Sequence, residues 1–250
     1  MTPTRRDFIK FCAIPVAAVS ACGLVLPQPA MAQQKPTSGE PRVNGPIYNQ
    51  DDTEFFTTRA PKDVTGEAVD KWVDGLAEAG VGTLVSCVCA MTANYRSKVW
   101  ETRYARYDPD GPDDQPVLKH LGKGRIGGTR RWLASEKKLA DLGINLHQRA
   151  FARCRTHGIG AWASIRMNDV HDCPLPDSPL LSTFYKTQRD RGHLRVPYRL
   201  GSWQDRALDW ARPEVRDHYM KIVREVLDTL DLEGLELDWM RFGYHFQPGH

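Results

Sequence analysis

A large excess of either charge is missing from this sequence. Lys and Arg number 34 against 31 Asp and Glu, a formal net charge of +3, and Arg5, Arg6 and Lys10 of that excess sit in the first ten residues. The remainder is nearly balanced, so the basic footprint of a nucleic-acid-binding protein is absent. No Gly-rich phosphate loop follows any strand-like run, which disfavours a nucleotide-binding open sheet. No Gly-x-Ser-x-Gly elbow occurs, so Ser-centred hydrolysis lacks its usual turn. Cysteine is sparse as well: six in 250 residues, with Cys12 and Cys22 near the N-terminus.

What is present begins with Thr4-Arg5-Arg6-Asp7-Phe8-Ile9-Lys10. A twin arginine precedes an apolar run from Phe11 to Leu26, broken by Pro15, Ser20, Cys22 and Gly23. The run ends at Ala30-Met31-Ala32, a small-x-small cleavage pattern before Gln33. It is shorter and more interrupted than the roughly 20 apolar residues of a membrane span. Residues 1–32 therefore read as a twin-arginine signal peptide, which makes the export machinery a partner and the mature chain periplasmic or extracellular. Val19-Ser20-Ala21-Cys22 offers a rival, lipobox-like site that would leave Cys22 acylated at the membrane. Residues 33–42 form a flexible lead-in.

Four cysteines lie beyond the signal: Cys87, Cys89, Cys154 and Cys173. On a strand, Cys87 and Cys89 share one face about 6.6 Å apart, at the far limit for a disulfide. Buried thiols are the expectation, since a zinc site needs a better cluster.

From residue 43 the chain alternates short apolar runs with helical patterns. Ile47–Asn49 is a weak strand ending at Asp51-Asp52. A helix follows, with Thr65 as its cap, Val69, Trp72, Val73, Leu76 and Ala77 at helical spacing, and Gly80 as its stop. Val81–Ala90 reads as a second strand, residues 91–132 as irregular, and Asn145–His157 as a helix. Gly158–Arg166 is a third strand, followed by an irregular, Pro-rich loop to about Trp210. Pro213 opens the strongest helix, with a stripe of Val215, Tyr219, Ile222, Val223, Val226, Leu227 and Leu230; Leu235–Met240 is a fourth strand. Repeated strand–helix units imply an α/β fold, either an open doubly wound sheet or a (β/α)8 barrel. Long excursions after the second and third strands favour the barrel, whose working loops leave the C-terminal ends of its strands. With four strands of eight, residues 43–250 are expected to be the N-terminal part of a TIM-type barrel in a truncated chain.

Two constellations carry chemistry. In Gly234-Leu235-Glu236-Leu237-Asp238-Trp239-Met240-Arg241, alternation puts Glu236 and Asp238 on one face and the apolar residues on the other. Buried acids need compensation, and Arg166 and Arg241 are the candidates. An internal ion-pair layer without catalytic work also fits. The second is Arg166-Met167-Asn168-Asp169-Val170-His171-Asp172, whose Arg, Asn, Asp and His suit sugar hydroxyls. Asp169, His171 and Asp172 are equally a conceivable metal set, or a capped turn, although the His-x-His usual in metal-dependent barrel hydrolases is missing. Tyr185, Tyr198, Trp203, Trp210, Tyr244 and Phe246 fit sugar stacking and ordinary loop packing alike.

These two segments, with Ala-Arg-Pro-Glu-Val-Arg at 211–216, resemble the family-ten-like glycosyl hydrolases, secreted bacterial proteins of barrel type. The resemblance spans most of 43–248 and is dense at 158–172 and 209–246. It implies a carbohydrate substrate read at the mouth of the barrel. The last strand also resembles the chitinase pattern Asp-x-x-Asp-x-Asp-x-Glu, but Met240 occupies the acid position and has no proton to give. The expectation is therefore glycosidic hydrolysis by two carboxyl groups. Asp238 is one of them, and Glu236 tunes it or contacts substrate. Arg166, Asn168, Asp169, His171, Asp172, Arg241, Tyr244 and His245 bind sugar, and no cofactor is required. The partner carboxylate is expected beyond residue 250, leaving this chain inactive alone. The alternatives are a non-catalytic carbohydrate binder and a metal-dependent hydrolase using Asp169, His171 and Asp172.

Overall fold

A computed structural model describes residues 45–194 and 206–239. The signal, the lead-in, Tyr198, Trp203, Arg241, Tyr244, His245 and Phe246 lie outside the described residues. The described residues form a mixed α/β fold around a four-stranded, all-parallel sheet. Its strands are β1 (Ile47–Gln50), β2 (Thr83–Cys89), β3 (Gly160–Arg166) and β4 (Gly234–Asp238), neighbours in chain order. Seven helices accompany them: α1 (Glu54–Thr57), α2 (Gly66–Glu78), α3 (Pro116–Lys119), α4 (Lys123–Asp141), α5 (Leu146–Thr156), α6 (Thr183–Asp190) and α7 (Pro213–Thr229). None is long and apolar enough to cross a membrane.

Local chemistry places the expected helices. The Thr65 side chain caps α2 by accepting from the Ala68 N–H, and Gly80, with φ of 77°, turns the chain after it. Asn145 caps α5 by accepting from His147 and Gln148. Pro213 starts α7, which buries Val215, Tyr219, Ile222, Val223, Val226 and Leu227, each large apolar side chain contributing roughly 1.5–3 kcal/mol.

Two segments depart from expectation. The segment expected to be irregular contains α3 and the start of α4, the longest helix described. Gly124, Gly127 and Gly128 weaken its propensity, and its buried positions include Thr129, Ser135 and Glu136, so the apolar stripe is interrupted. The Pro-rich loop after β3 likewise contains α6, capped by the Ser182 hydroxyl accepting from the Tyr185 N–H.

Register determines the faces of the sheet. Asn49, Val85, Trp162 and Gly234 lie abreast, then Cys87, Ser164 and Glu236, then Arg166 and Asp238. The opposite face carries Leu84, Ala161, Ala163, Ile165, Leu235 and Leu237, which join the hydrophobic core. The first face is partly open, with Ile47 69% and Trp162 40% exposed. Glu236 and Asp238 thus share a face as alternation requires, with their leucine neighbours toward the core. Cys87 and Cys89 do not: the register shifts between them, setting Cys89 abreast of Ile165. That bulge sends Cys89 into the core while Cys87 stays on the open face. All four thiols are free and buried.

Candidate functional site

Arg166, the last residue of β3, organises the C-terminal end of the sheet. Its guanidinium pairs with Asp51 at 2.5 Å and lies 3.7 Å from Asp169. Asp51 follows β1 immediately, and Asp238 ends β4 directly abreast of Arg166. Three carboxylates, each from the C-terminal end of a different strand or the turn after it, thereby gather around one buried cation. Burial opposes the Arg166 charge, but the neighbouring Cys87, Asp52, Asp169 and Asp51 groups outweigh it and hold its pKa above the ordinary value.

Two clefts open here. A polar one of about 220 Å³ is lined by Asn49, Asp51, Cys87, Ser164, Arg166 and Asp238. The other, about 210 Å³, shares Asp51 and Arg166. Asp52, Asp169 and His171 complete its polar wall, and Thr53, Ala90, Trp132 and Leu180 the rest. His171 donates from Nδ1 to Asp169 at 3.0 Å, and its backbone N–H donates to the same carboxylate at 2.9 Å. Burial resists ionisation of Asp169, yet these hydrogen bonds and the Arg166 charge keep its pKa below the usual carboxylate range.

No protein-family model matches this chain, and no curated protein shows significant similarity to it. The site must be read from its own geometry.

A buried network supports the second cleft from behind. Arg103, fully buried, bridges two acids: it donates to Asp52 and, at 2.9 Å, to Glu136 Oε1. Asn94 Nδ2 donates to Asp52 Oδ1 at 2.8 Å and to the Cys87 carbonyl at 2.8 Å. The His147 ring spans Asn94 Oδ1 at 2.7 Å and Ser86 Oγ at 2.9 Å, and Ser86 meets Gln50 at 2.5 Å. Trp132 donates its indole N–H to Glu136 Oε1 at 2.6 Å, and the Arg103 guanidinium lies 4.9 Å from the centre of its ring. An aromatic wall of the cleft is therefore held by a buried ion network.

The expected site residues divide. Asp238, Arg166, Asp169 and His171 come together at the clefts. Glu236 lies one step deeper, abreast of Ser164, and its Oε2 is buried with no hydrogen-bond partner. Asn168 is buried and lines neither cleft. Asp172 is turned elsewhere, with φ of 57°; it binds Arg125 through both oxygens at 3.0 and 2.8 Å and accepts from Ser178 at 2.7 Å. Asp169, His171 and Asp172 thus do not converge on a metal, and among the described residues no group of three ligands does. Tyr185 and Trp210 are packing residues: Tyr185 is buried and donates to the Arg206 carbonyl, while Trp210 packs against Tyr219 and Trp239. Arg241, Tyr244 and His245 lie outside the described residues.

Sequence reasoning missed Asp51, Asp52, Arg103 and Trp132 as site residues. For the first two a signal existed, since an Asp-Asp pair ended a strand-like run. Alternation then sends one acid to the open face with Arg166 and the other back to Arg103.

Proposed function

We propose that this protein is a carbohydrate-active hydrolase that cleaves a glycosidic bond with a pair of carboxyl groups at the C-terminal ends of parallel strands. The observation that carries the reading is the polar cleft holding both Asp51 and Asp238 around Arg166. Glycosidases need two such groups flanking the bond, one to protonate the leaving oxygen and one to act as nucleophile or base. Asp51, bound directly to the Arg166 guanidinium, suits the nucleophile or base, and Asp238 takes the remaining role of the pair. On this reading both acids lie within this chain.

The architecture supports a barrel-type scaffold. Parallel strands in unbroken chain order, polar residues at their C-terminal ends and a helix-covered opposite face are what a (β/α)8 unit produces. The resemblance at 158–172 and 209–246 points the same way, and export by the twin-arginine route would place the activity outside the cytoplasm, where polysaccharides are met.

The test compares the exported protein with Asp51→Asn and Asp238→Asn variants on a panel of aryl and alkyl glycosides. Each substitution should lower kcat at least 10³-fold with folding intact by circular dichroism. Undiminished turnover in either variant removes that residue from the mechanism. Sugar binding without turnover in the unaltered protein would instead establish a carbohydrate-binding role.

A further inference from the structure

The two clefts share one wall, the Asp51–Arg166 ion pair, and differ in character on its two sides. The first is bounded by Asn49, Ser164 and Asp238, groups that pair with hydroxyls. The second has Trp132, Ala90 and Leu180 as apolar surface. Each cavity, at about 220 and 210 Å³, falls short of the roughly 300 Å³ at which ordinary ligand pockets begin. Together the two fall within that range, and a molecule reaching from one to the other must cross the carboxylate of Asp51.

From this geometry we infer that the site takes an amphipathic glycoside lying across both clefts, its sugar against Asn49, Ser164 and Asp238 and an apolar aglycone against Trp132 and Leu180. The inference rests on the sugar-cleaving reading above and adds the chemical class of the substrate. Trp132 suits the role because its indole is already fixed, by the hydrogen bond to Glu136 and the Arg103 cation, so little rotamer freedom is lost on binding. The sugar side has no comparable apolar surface beyond the Cys87 thiol. Asp51, lining both clefts, borders the linkage between the two halves of the ligand.

The experiment measures binding rather than hydrolysis. Methyl and phenyl glycosides of glucose, galactose, mannose and xylose are titrated calorimetrically into the full chain and into Leu180→Trp and Thr53→Phe, two substitutions that fill the second cleft from different elements. The phenyl glycoside of the preferred sugar should bind at least tenfold more tightly than its methyl counterpart. Both variants should bring that ratio below threefold with folding intact by circular dichroism. Equal affinities for phenyl and methyl glycosides in the unaltered protein would overturn the amphipathic ligand and leave the sugar site standing. Failure of every glycoside to bind would overturn both.

Discussion

Ser86 Oγ lies 2.9 Å from His147 Nδ1, and this contact sets the direction of the whole buried network. Asn94 Nδ2 is committed to Asp52 and the Cys87 carbonyl, so Asn94 Oδ1 faces His147 Nε2 as an acceptor. Nε2 must then carry the proton, and Nδ1 accepts from the Ser86 hydroxyl. That hydroxyl has one proton, so Gln50 satisfies Ser86 by turning its amide N–H toward Oγ. The same turn gives a partner to Gln50 Nε2, which otherwise has none. Donors now run one way, from β1 through β2 and α5 to Asp52.

His147 should therefore stay neutral, as the Nε2–H tautomer, across the physiological range. Burial, and secondarily the Arg103 charge, lowers its pKa from 6.5 to about 3. A depressed folded value means the unfolded chain binds the extra proton first. The contribution to stability is present above 6.5 and is lost as pH falls from there toward 3. Long-range ¹H–¹⁵N correlation spectra should show one fixed tautomer from pH 5 to 8. His147→Ala strands the Asn94 oxygen and the Ser86 hydroxyl at about 1–3 kcal/mol each, before any cavity term. Urea unfolding should thus show a loss of about 3 kcal/mol or more; a variant of unchanged stability contradicts the network.

Glu136 should hold a proton at neutral pH. Arg103 bridges two buried acids, and one cation balances one of them. Both Asp52 oxygens accept hydrogen bonds, whereas Glu136 Oε2 has no partner, so the proton belongs on Glu136. Burial raises its pKa from 4.5 to about 8, against the pull of Arg103 and with the help of Asp52. The folded value lies above the unfolded one, so stability is fully present below 4.5 and declines as pH rises through 8. Glu136→Gln keeps an oxygen for Arg103 and Trp132 and cannot ionise. Urea midpoints at pH 6 and 9 should differ clearly in the parent protein and much less in this variant. An equal pH dependence in both would place the ionisation elsewhere.

The fold was legible in the sequence where one physical rule acted alone. Periodicity and capping gave α2, α5 and α7, and alternation set Glu236 and Asp238 together. It failed where rules competed. In α4 the glycines and the buried Thr129, Ser135 and Glu136 conceal a helix whose buried acid is held by a tertiary partner, Arg103. At Cys87 and Cys89 a single bulge reverses alternation, and no residue type announces it. Half the site was visible as polar strand ends. The other half was not, because pairing Asp51 with Arg166 is a contact across 115 positions that only the order of strands brings about.

Trp162 and Gly234 lie abreast on adjacent strands, and the absence of a side chain on the second is what seats the first. A Cβ added to Gly234 would come within 2.3 Å of Trp162 Cε2 and 2.4 Å of Cδ2. These are interior ring atoms, so the indole must move as a whole rather than flex at its tip. Trp162 is 40% exposed on the open face and has room to leave, so Gly234→Ala should cost about 1–3 kcal/mol, the ordinary range for overpacking, rather than abolish folding. In a Trp162→Ala background nothing remains to clash. There the same substitution should be neutral or slightly stabilising, since alanine loses less backbone entropy than glycine on folding. A double-mutant cycle in urea should give a coupling of about 1 kcal/mol or more. A coupling near zero would mean that the indole does not rest on the β4 backbone, and that the open face is arranged differently above Glu236.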